Sequence, residues 1–204
     1  MTENLRVAMI GYGFMGAAHS QGWRVAPRFF DLPAEPTMSV VVGRNPAAVA
    51  AAAEKWGWAE AATDWRDVIE RDDIDVVDIV TPGDTHAEIA IAAARAGKAV
   101  LVEKPVAGGV DEARALEAEL ATFEHPPVMV GFQRRYDPSI RRAKALADAG
   151  ELGTIEQVTI VARDPGPPPA EYVAASGGLF RDMTIHDFDM ARFFIGDIVE
   201  VSAF

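Results

Sequence analysis

The chain contains no cysteine, which excludes disulfides, thiolate metal sites and cysteine nucleophiles. It also has no run of about 18 apolar residues, so no segment is long enough to cross a membrane as a helix. The start, Met1 to Arg6, is polar and passes straight into Val7-Ala8-Met9-Ile10. A secretory leader, with its basic head, apolar stretch and cleavage site, is not expected there, and a cytoplasmic location follows as the default. Positive charge is scarce, because 19 Lys and Arg stand against 31 Asp and Glu, a formal net charge of −12. That balance repels phosphate backbones and argues against nucleic acid or an anionic membrane surface as the main partner. There is no internal repeat and no low-complexity tract beyond Ala-rich segments of helical character.

What is there reads as a globular protein, with 50% of its residues apolar and 25% charged. At roughly 150 residues per domain, 204 residues predict one complete domain and part of another. From residue 5 to about 133, short apolar runs alternate with Ala-rich segments of helical period, the pattern of a parallel sheet with crossover helices. Strands are expected at Leu5 to Ile10, Met38 to Val42, Val76 to Val80, Ala99 to Val102 and Val128 to Phe132. Their nearly continuous apolarity suits strands covered on both faces. Asn45 followed by Pro46 marks a helix start that Gly57 closes, and Asp64, Thr85 or Asp84, and Asp111 are candidate caps for three further helices.

After Tyr136 the pattern changes. A helix from about Pro138 to Ala149 is followed by an alternating strand, Ile155 to Ala162, a loop at Pro165 to Pro169, a helix from about Met183 to Ile195 stopped by Gly196, and a strand start at Ile198 to Val201. The expected fold is therefore α/β: a Rossmann-type doubly wound parallel sheet over residues 1–125, then an incomplete α+β, open-sheet domain over 126–204. One clear strand does not make a stable sheet, so the second domain reads as truncated.

Gly11-Tyr12-Gly13-Phe14-Met15-Gly16 fits G-x-G-x-x-G between a strand and a helix. The first glycine permits the turn, the second lets a pyrophosphate approach the backbone, and the third allows close packing of helix on strand. At the end of the second strand, where an acid would hold the ribose hydroxyls of NAD, the chain has Val42-Gly43-Arg44-Asn45. Arg44 leans towards NADP if it meets a 2′-phosphate; stacking on adenine and exposure to solvent remain the alternatives. Thr81-Pro82 and Glu103-Lys104-Pro105 follow two other strands, at carboxyl ends beside the crevice where open α/β sheets bind ligands. Lys104, held next to Pro105, is expected to face the ligand. His19 and His86 read as structural or cofactor-adjacent rather than catalytic.

Asp182 and His186 stand four residues apart, which brings them onto one helical face if the helix starts early enough. An aspartate can then orient the imidazole and make it a competent base near neutral pH. Asp182 as a simple helix cap is the alternative. Asp182, His186 and Asp189 form at most a three-ligand set, and without a second cluster no metal is expected. Arg134, after the last strand of the first domain, is the candidate for binding a hydroxyl-rich or anionic substrate, while Arg135 continues an exposed basic patch with Arg141, Arg142 and Lys144.

In this order, the N-terminal glycine motif, Thr81-Pro82 with His86, Glu103-Lys104-Pro105, the segment Gly131 to Pro138 and the run Asp182-Met183-Thr184-Ile185-His186-Asp187-Phe188-Asp189 resemble the glucose-fructose oxidoreductase/inositol dehydrogenase (Gfo/Idh/MocA) family. The block from Gly177 to Gly196 looks most like its inositol 2-dehydrogenase branch. The resemblance implies a nicotinamide dinucleotide on the Gly11 to Gly16 turn, flanked by Arg44, Thr81, Pro82, His86, Glu103 and Lys104. It implies a polyol or sugar substrate met by Lys104, Asp182 and His186, and a bond before Pro105 that is often cis in relatives. It also implies NAD or NADP as cofactor, with the branch leaning to NAD, and a longer chain forming a dimer or tetramer. Two further functions occur on this fold: a lyase or glycosidase that retains its NAD, and a non-catalytic dinucleotide sensor.

Overall fold

A computed structural model of the chain describes residues 3–125, 127–163 and 166–203. They form two compact units, Met1–Gly131 and Phe132–Phe204.

The first unit runs β1 (Glu3–Ile10), α1 (Phe14–Phe29), β2 (Ala34–Val42), α2 (Pro46–Trp56), β3 (Glu60–Ala62), α3 (Trp65–Ile69), β4 (Val76–Ile79), α4 (His86–Arg95), β5 (Ala99–Val102), α5 (Val110–Leu120) and β6 (Val128–Val130). Its sheet is entirely parallel, in the order β3-β2-β1-β4-β5-β6. That is the doubly wound Rossmann order, which reverses direction between β1 and β4. Registers Ile10↔Val42, Ile10↔Ile79, Ile79↔Val102 and Val102↔Val130 align the carboxyl ends along one edge. The loops after β1, β2, β4 and β5 therefore share one rim, and these loops carry the candidate residues.

Two-residue alternation sorts the strand side chains. Ala8, Ile10, Val77, Ile79, Val100 and Val102 face a core completed by Val68, Ile89, Ala90, Ala93 and Leu116, from α3, α4 and α5. Val7, Met9, Val41, Val76 and Val80 face the opposite core with Val49, Ala53 and Trp58, against which Met15 and Trp23 of α1 also pack. Burial on both faces explains the unbroken apolar runs. Asn45 caps α2 by accepting from the Ala48 N–H, Gly57 ends it at φ 85°, and Asp64 caps α3. The cap before α5 is Gly109 rather than Asp111, which stands inside the first turn.

Two differences in this unit concern short strands. β3 has only Glu60-Ala61-Ala62, with no β-branched residue to announce it, and is held as an edge strand by its pairing to β2. β6 pairs with β5, so the sheet extends past residue 125 and the division between units falls after Gly131.

The second unit comprises a 3₁₀ turn at Gln133–Tyr136, α6 (Pro138–Asp148), α7 (Ala170–Ser176), α8 (Leu179–Asp182) and α9 (Ile185–Ile195). Asp137 caps α6 by accepting from the N–H groups of Ser139 and Ile140. The turn is tied to α9 by Arg134 to Asp187 at 2.7 Å and Arg135 to Asp189 at 2.6 Å. Residues 155–162 and 198–201 form no strand. A ladder needs a partner, and among the described residues of this unit there is none, so Val158, Ile160, Val161, Val199 and Val201 stand exposed. Pro165 of the expected loop lies outside the described residues.

The helix expected from about Met183 to Ile195 begins at Ile185 and does not reach back to Asp182. The Thr184 hydroxyl donates to the Phe180 carbonyl at 3.0 Å, the acceptor a continuing helix would offer to the Thr184 N–H. That N–H turns instead to the Leu179 carbonyl. Such side-chain competition for helix carbonyls interrupts the ladder, so Asp182 ends α8 and His186 stands in the first turn of α9.

Candidate active site

The rim of the first unit is built around glycine. Gly11, at φ 112°, follows β1 and donates its N–H to the Val42 carbonyl at 2.9 Å. A Cβ on Gly11 would lie 2.8 Å from the Val80 carbonyl oxygen, and one on Gly16 would lie 2.9 Å from the Gly11 carbonyl oxygen. Both positions exclude a side chain, one for conformation and space, the other for the approach of α1 to the turn. A Cβ on Gly13 would meet nothing within 4 Å, so the middle of the turn opens onto free space. Gly13 precedes α1 without capping it through a side chain, and the first turn contains no acid. Backbone N–H groups there lack internal partners, and together with the helix dipole they suit an anion. The turn thus fits the pyrophosphate of a dinucleotide by shape and by charge.

Tyr12 lies across the end of β2, where a Cβ on Gly43 would fall 1.9 Å from its ring. Phe14 is 88% exposed and Met15 packs into the core beneath. Arg44 is exposed, and its side chain has no partner among the described residues. After β4, the Thr81 hydroxyl accepts from the Thr85 hydroxyl at 2.7 Å. His86 is buried, its two ring nitrogens each 2.7 Å from a backbone carbonyl, Thr81 on one side and Pro105 on the other. It therefore supports the Thr81-Pro82 segment from within.

After β5, the Lys104–Pro105 peptide is cis. Glu103 is buried, with its Oε2 accepting the Lys104 backbone N–H at 3.1 Å and its Oε1 3.2 Å from His19 Nε2. Burial pushes the Glu103 carboxyl up, but the hydrogen bond and charge of His19 hold it below its usual range. Burial likewise opposes the charged form of His19, yet bonds to Asp78 and Glu103 prevail and push its pKa up to about 10. His19 and Asp78 are the residues that sequence reasoning undervalued. The available signal was Asp78 itself, an acid inside the apolar run Val76 to Val80 that needs a partner if it is buried.

In the second unit Asp182 is buried and accepts a hydrogen bond from Tyr172. Burial and this bond push the Tyr172 phenol up to about 12. The His186 ring meets Phe132 edge-on, centroids 6.3 Å apart and planes at 86°, a favourable aromatic geometry. Arg134 is engaged by Asp187, and Arg135 by both oxygens of Asp189. Among the described residues, no group of three or more His, Asp and Glu side chains could hold a metal ion. No helix among them is long and apolar enough to cross a membrane.

Residues 5–132 match a family model described as an oxidoreductase family with an NAD-binding Rossmann fold, and residues 140–204 match the C-terminal domain of the same family. The chain belongs to the Gfo/Idh/MocA oxidoreductase family. It is 41% identical to an inositol 2-dehydrogenase of Rhizobium meliloti (strain 1021), over 95% of this chain and 56% of the relative. It is 38% identical to a levoglucosan dehydrogenase of Pseudarthrobacter phenanthrenivorans, over 98% of this chain and 54% of that protein. A solved levoglucosan dehydrogenase in complex with NADH superposes with a TM-score of 0.84 at 38% identity, covering 96% of this chain and 55% of that one. The chain thus spans about half the length of these Gfo/Idh/MocA relatives.

Proposed function

We propose that the protein is an NAD-dependent dehydrogenase that oxidises a secondary alcohol of a polyol or sugar, with inositols as the first substrates to test. The observation that carries this reading is the rim of the first unit, where an uncapped glycine turn shaped for a pyrophosphate and the Lys104 loop stand on the carboxyl edge of one parallel sheet. The inositol 2-dehydrogenase relative and the NADH complex of levoglucosan dehydrogenase support the substrate class and the cofactor. NAD is preferred over the NADP that Arg44 alone would suggest, with Arg44 stacking on adenine.

When bound, the nicotinamide supplies the hydride acceptor. The residues of this chain supply position and charge. The Gly11 to Gly16 turn and the start of α1 hold the pyrophosphate through backbone N–H groups. Lys104 donates a hydrogen bond to the reacting oxygen and damps the negative charge that grows on it. His186, packed edge-on against Phe132, takes the hydroxyl proton on a ring nitrogen, and Asp182 stabilises the resulting imidazolium. Arg134 binds a neighbouring hydroxyl while held by Asp187. The complete protein assembles as a dimer or tetramer, to be checked by light scattering.

The test is fluorescence titration with NADH and NADPH, followed by a panel of inositols, aldoses and anhydrosugars with NAD. The reading predicts tighter NADH binding and NAD reduction with at least one polyol or sugar. Net elimination or hydrolysis without NAD reduction contradicts it.

A further inference from the structure

One buried charge of the first unit has no place in the mechanism above. Asp78 sits inside β4 with none of its surface exposed, on the face that α1 covers. Desolvating a carboxylate is costly unless donors replace the lost water. Two side chains of α1 do so. Trp23 Nε1 donates to Asp78 Oδ2 at 2.7 Å, and His19 Nδ1 lies 3.0 Å from both carboxylate oxygens. The other ring nitrogen, His19 Nε2, faces Glu103 Oε1 at 3.2 Å. An imidazole with a carboxylate at each nitrogen donates twice, which only the protonated ring does.

The chain of contacts continues to the site. Glu103 uses its second oxygen to accept the Lys104 backbone N–H. Gly131 leaves room for this carboxylate, because a Cβ there would lie 2.9 Å from Glu103 Oε1. On the far side of Lys104, the Pro105 carbonyl is 2.7 Å from His86 Nδ1. Two histidines from two helices, His86 buried and His19 partly buried, thus clamp the three-residue loop at both ends. His19 also belongs to the helix whose N-terminus opens the glycine turn, so one rigid element carries the anion-binding end and the support of Lys104.

We propose that His19 is a positioning residue: as a partly buried cation between Asp78 and Glu103 it fixes the Lys104 backbone and sets the lysine against the bound dinucleotide. The proposal rests on the catalytic reading of Lys104. The titratable groups facing His19 are Asp78 from β4 and Glu103 after β5, with the Lys104 charge acting on Glu103 beyond; its α1 neighbour Trp23 is neutral. The pKa of about 10 agrees with the geometry.

The experiment uses the full-length protein and four variants: His19→Gln, His19→Ala, Lys104→Met, and the double variant His19→Gln/Asp78→Asn, which removes an acid with the cation if the single variants fail to fold. His19→Gln, or the double variant in its place, should lower kcat about 10- to 100-fold with NADH affinity changed less than about threefold. Imidazole added to His19→Ala should restore part of kcat. Nitrogen NMR of the wild-type protein should show both His19 ring nitrogens protonated at neutral pH, with loss only near pH 10. A kcat within about twofold of wild type in the folded His19 variant, with Lys104→Met inactive, overturns this proposal alone, and so does a neutral His19 ring at neutral pH. Full turnover by Lys104→Met removes the catalytic reading, and the proposal with it.

Discussion

At the scale of single residues, the roles proposed for the two histidines His186 and His19 are each open to a single substitution. His186 packs edge-on against Phe132, and replacing it with Ala should cut the rate of alcohol oxidation by about 10² to 10⁴ while leaving NADH titration unchanged; a loss below threefold contradicts the role of base proposed for it. His19 makes a second prediction, through stability. Its pKa is raised from 6.5 to about 10 in the folded chain, so its contribution is complete below about pH 6.5 and is lost as pH rises through about 10. Denaturant melts at pH 6 and pH 10 should show a larger loss for wild type than for His19→Gln. Asp75 runs the other way. The Arg6 guanidinium, 2.7 Å away, lowers its pKa to about 2, and the stabilisation present above about pH 3.8 disappears as pH falls through 2. Asp75→Asn should flatten that acid limb of the stability curve. Asp78 was legible as an anomaly in the sequence, but its partners were not, because His19 and Trp23 lie 59 and 55 positions away and meet it only through the packing of α1 on the sheet.

At the scale of elements, legibility followed how local the deciding interaction is. Asn45-Pro46 and Gly57 bracket α2 because capping and the left-handed stop act within a few residues. β1, β2, β4 and β5 showed themselves through β-branched runs, whereas β3 exists only because β2 offers it a ladder. The break between α8 and α9 was hidden because a threonine that takes a helix carbonyl looks, in sequence, like any helical threonine. The glycine turn and its strand-to-helix setting were fully legible, yet the free space at Gly13 and the clash at Gly11 needed coordinates. Gly11→Ala should therefore weaken NADH binding by at least about tenfold, since the new methyl meets the Val80 carbonyl in a strained conformation. Ile79, fully buried in the centre of β4, should cost about 2–5 kcal/mol when cut to Ala, measured by urea denaturation.

At the scale of the whole molecule, the two units differ in kind. The first closes a six-stranded sheet between two apolar cores, while the described residues of the second form helices and turns without a strand, with exposed valines and isoleucines along 155–162 and 198–201. A net charge of −12 offers no general attraction for polyanions, so the proposed anion binding falls to the backbone N–H groups of the glycine turn. The central claim is that this rim holds a nicotinamide dinucleotide so that Lys104 can serve alcohol oxidation. It is tested most directly by measuring NAD reduction with an inositol and NADH affinity side by side in the full-length wild type and Lys104→Met. The account predicts turnover in the wild type, none in Lys104→Met, and NADH affinity equal within about threefold. Turnover that survives Lys104→Met, or NADH binding that disappears with it, contradicts the account.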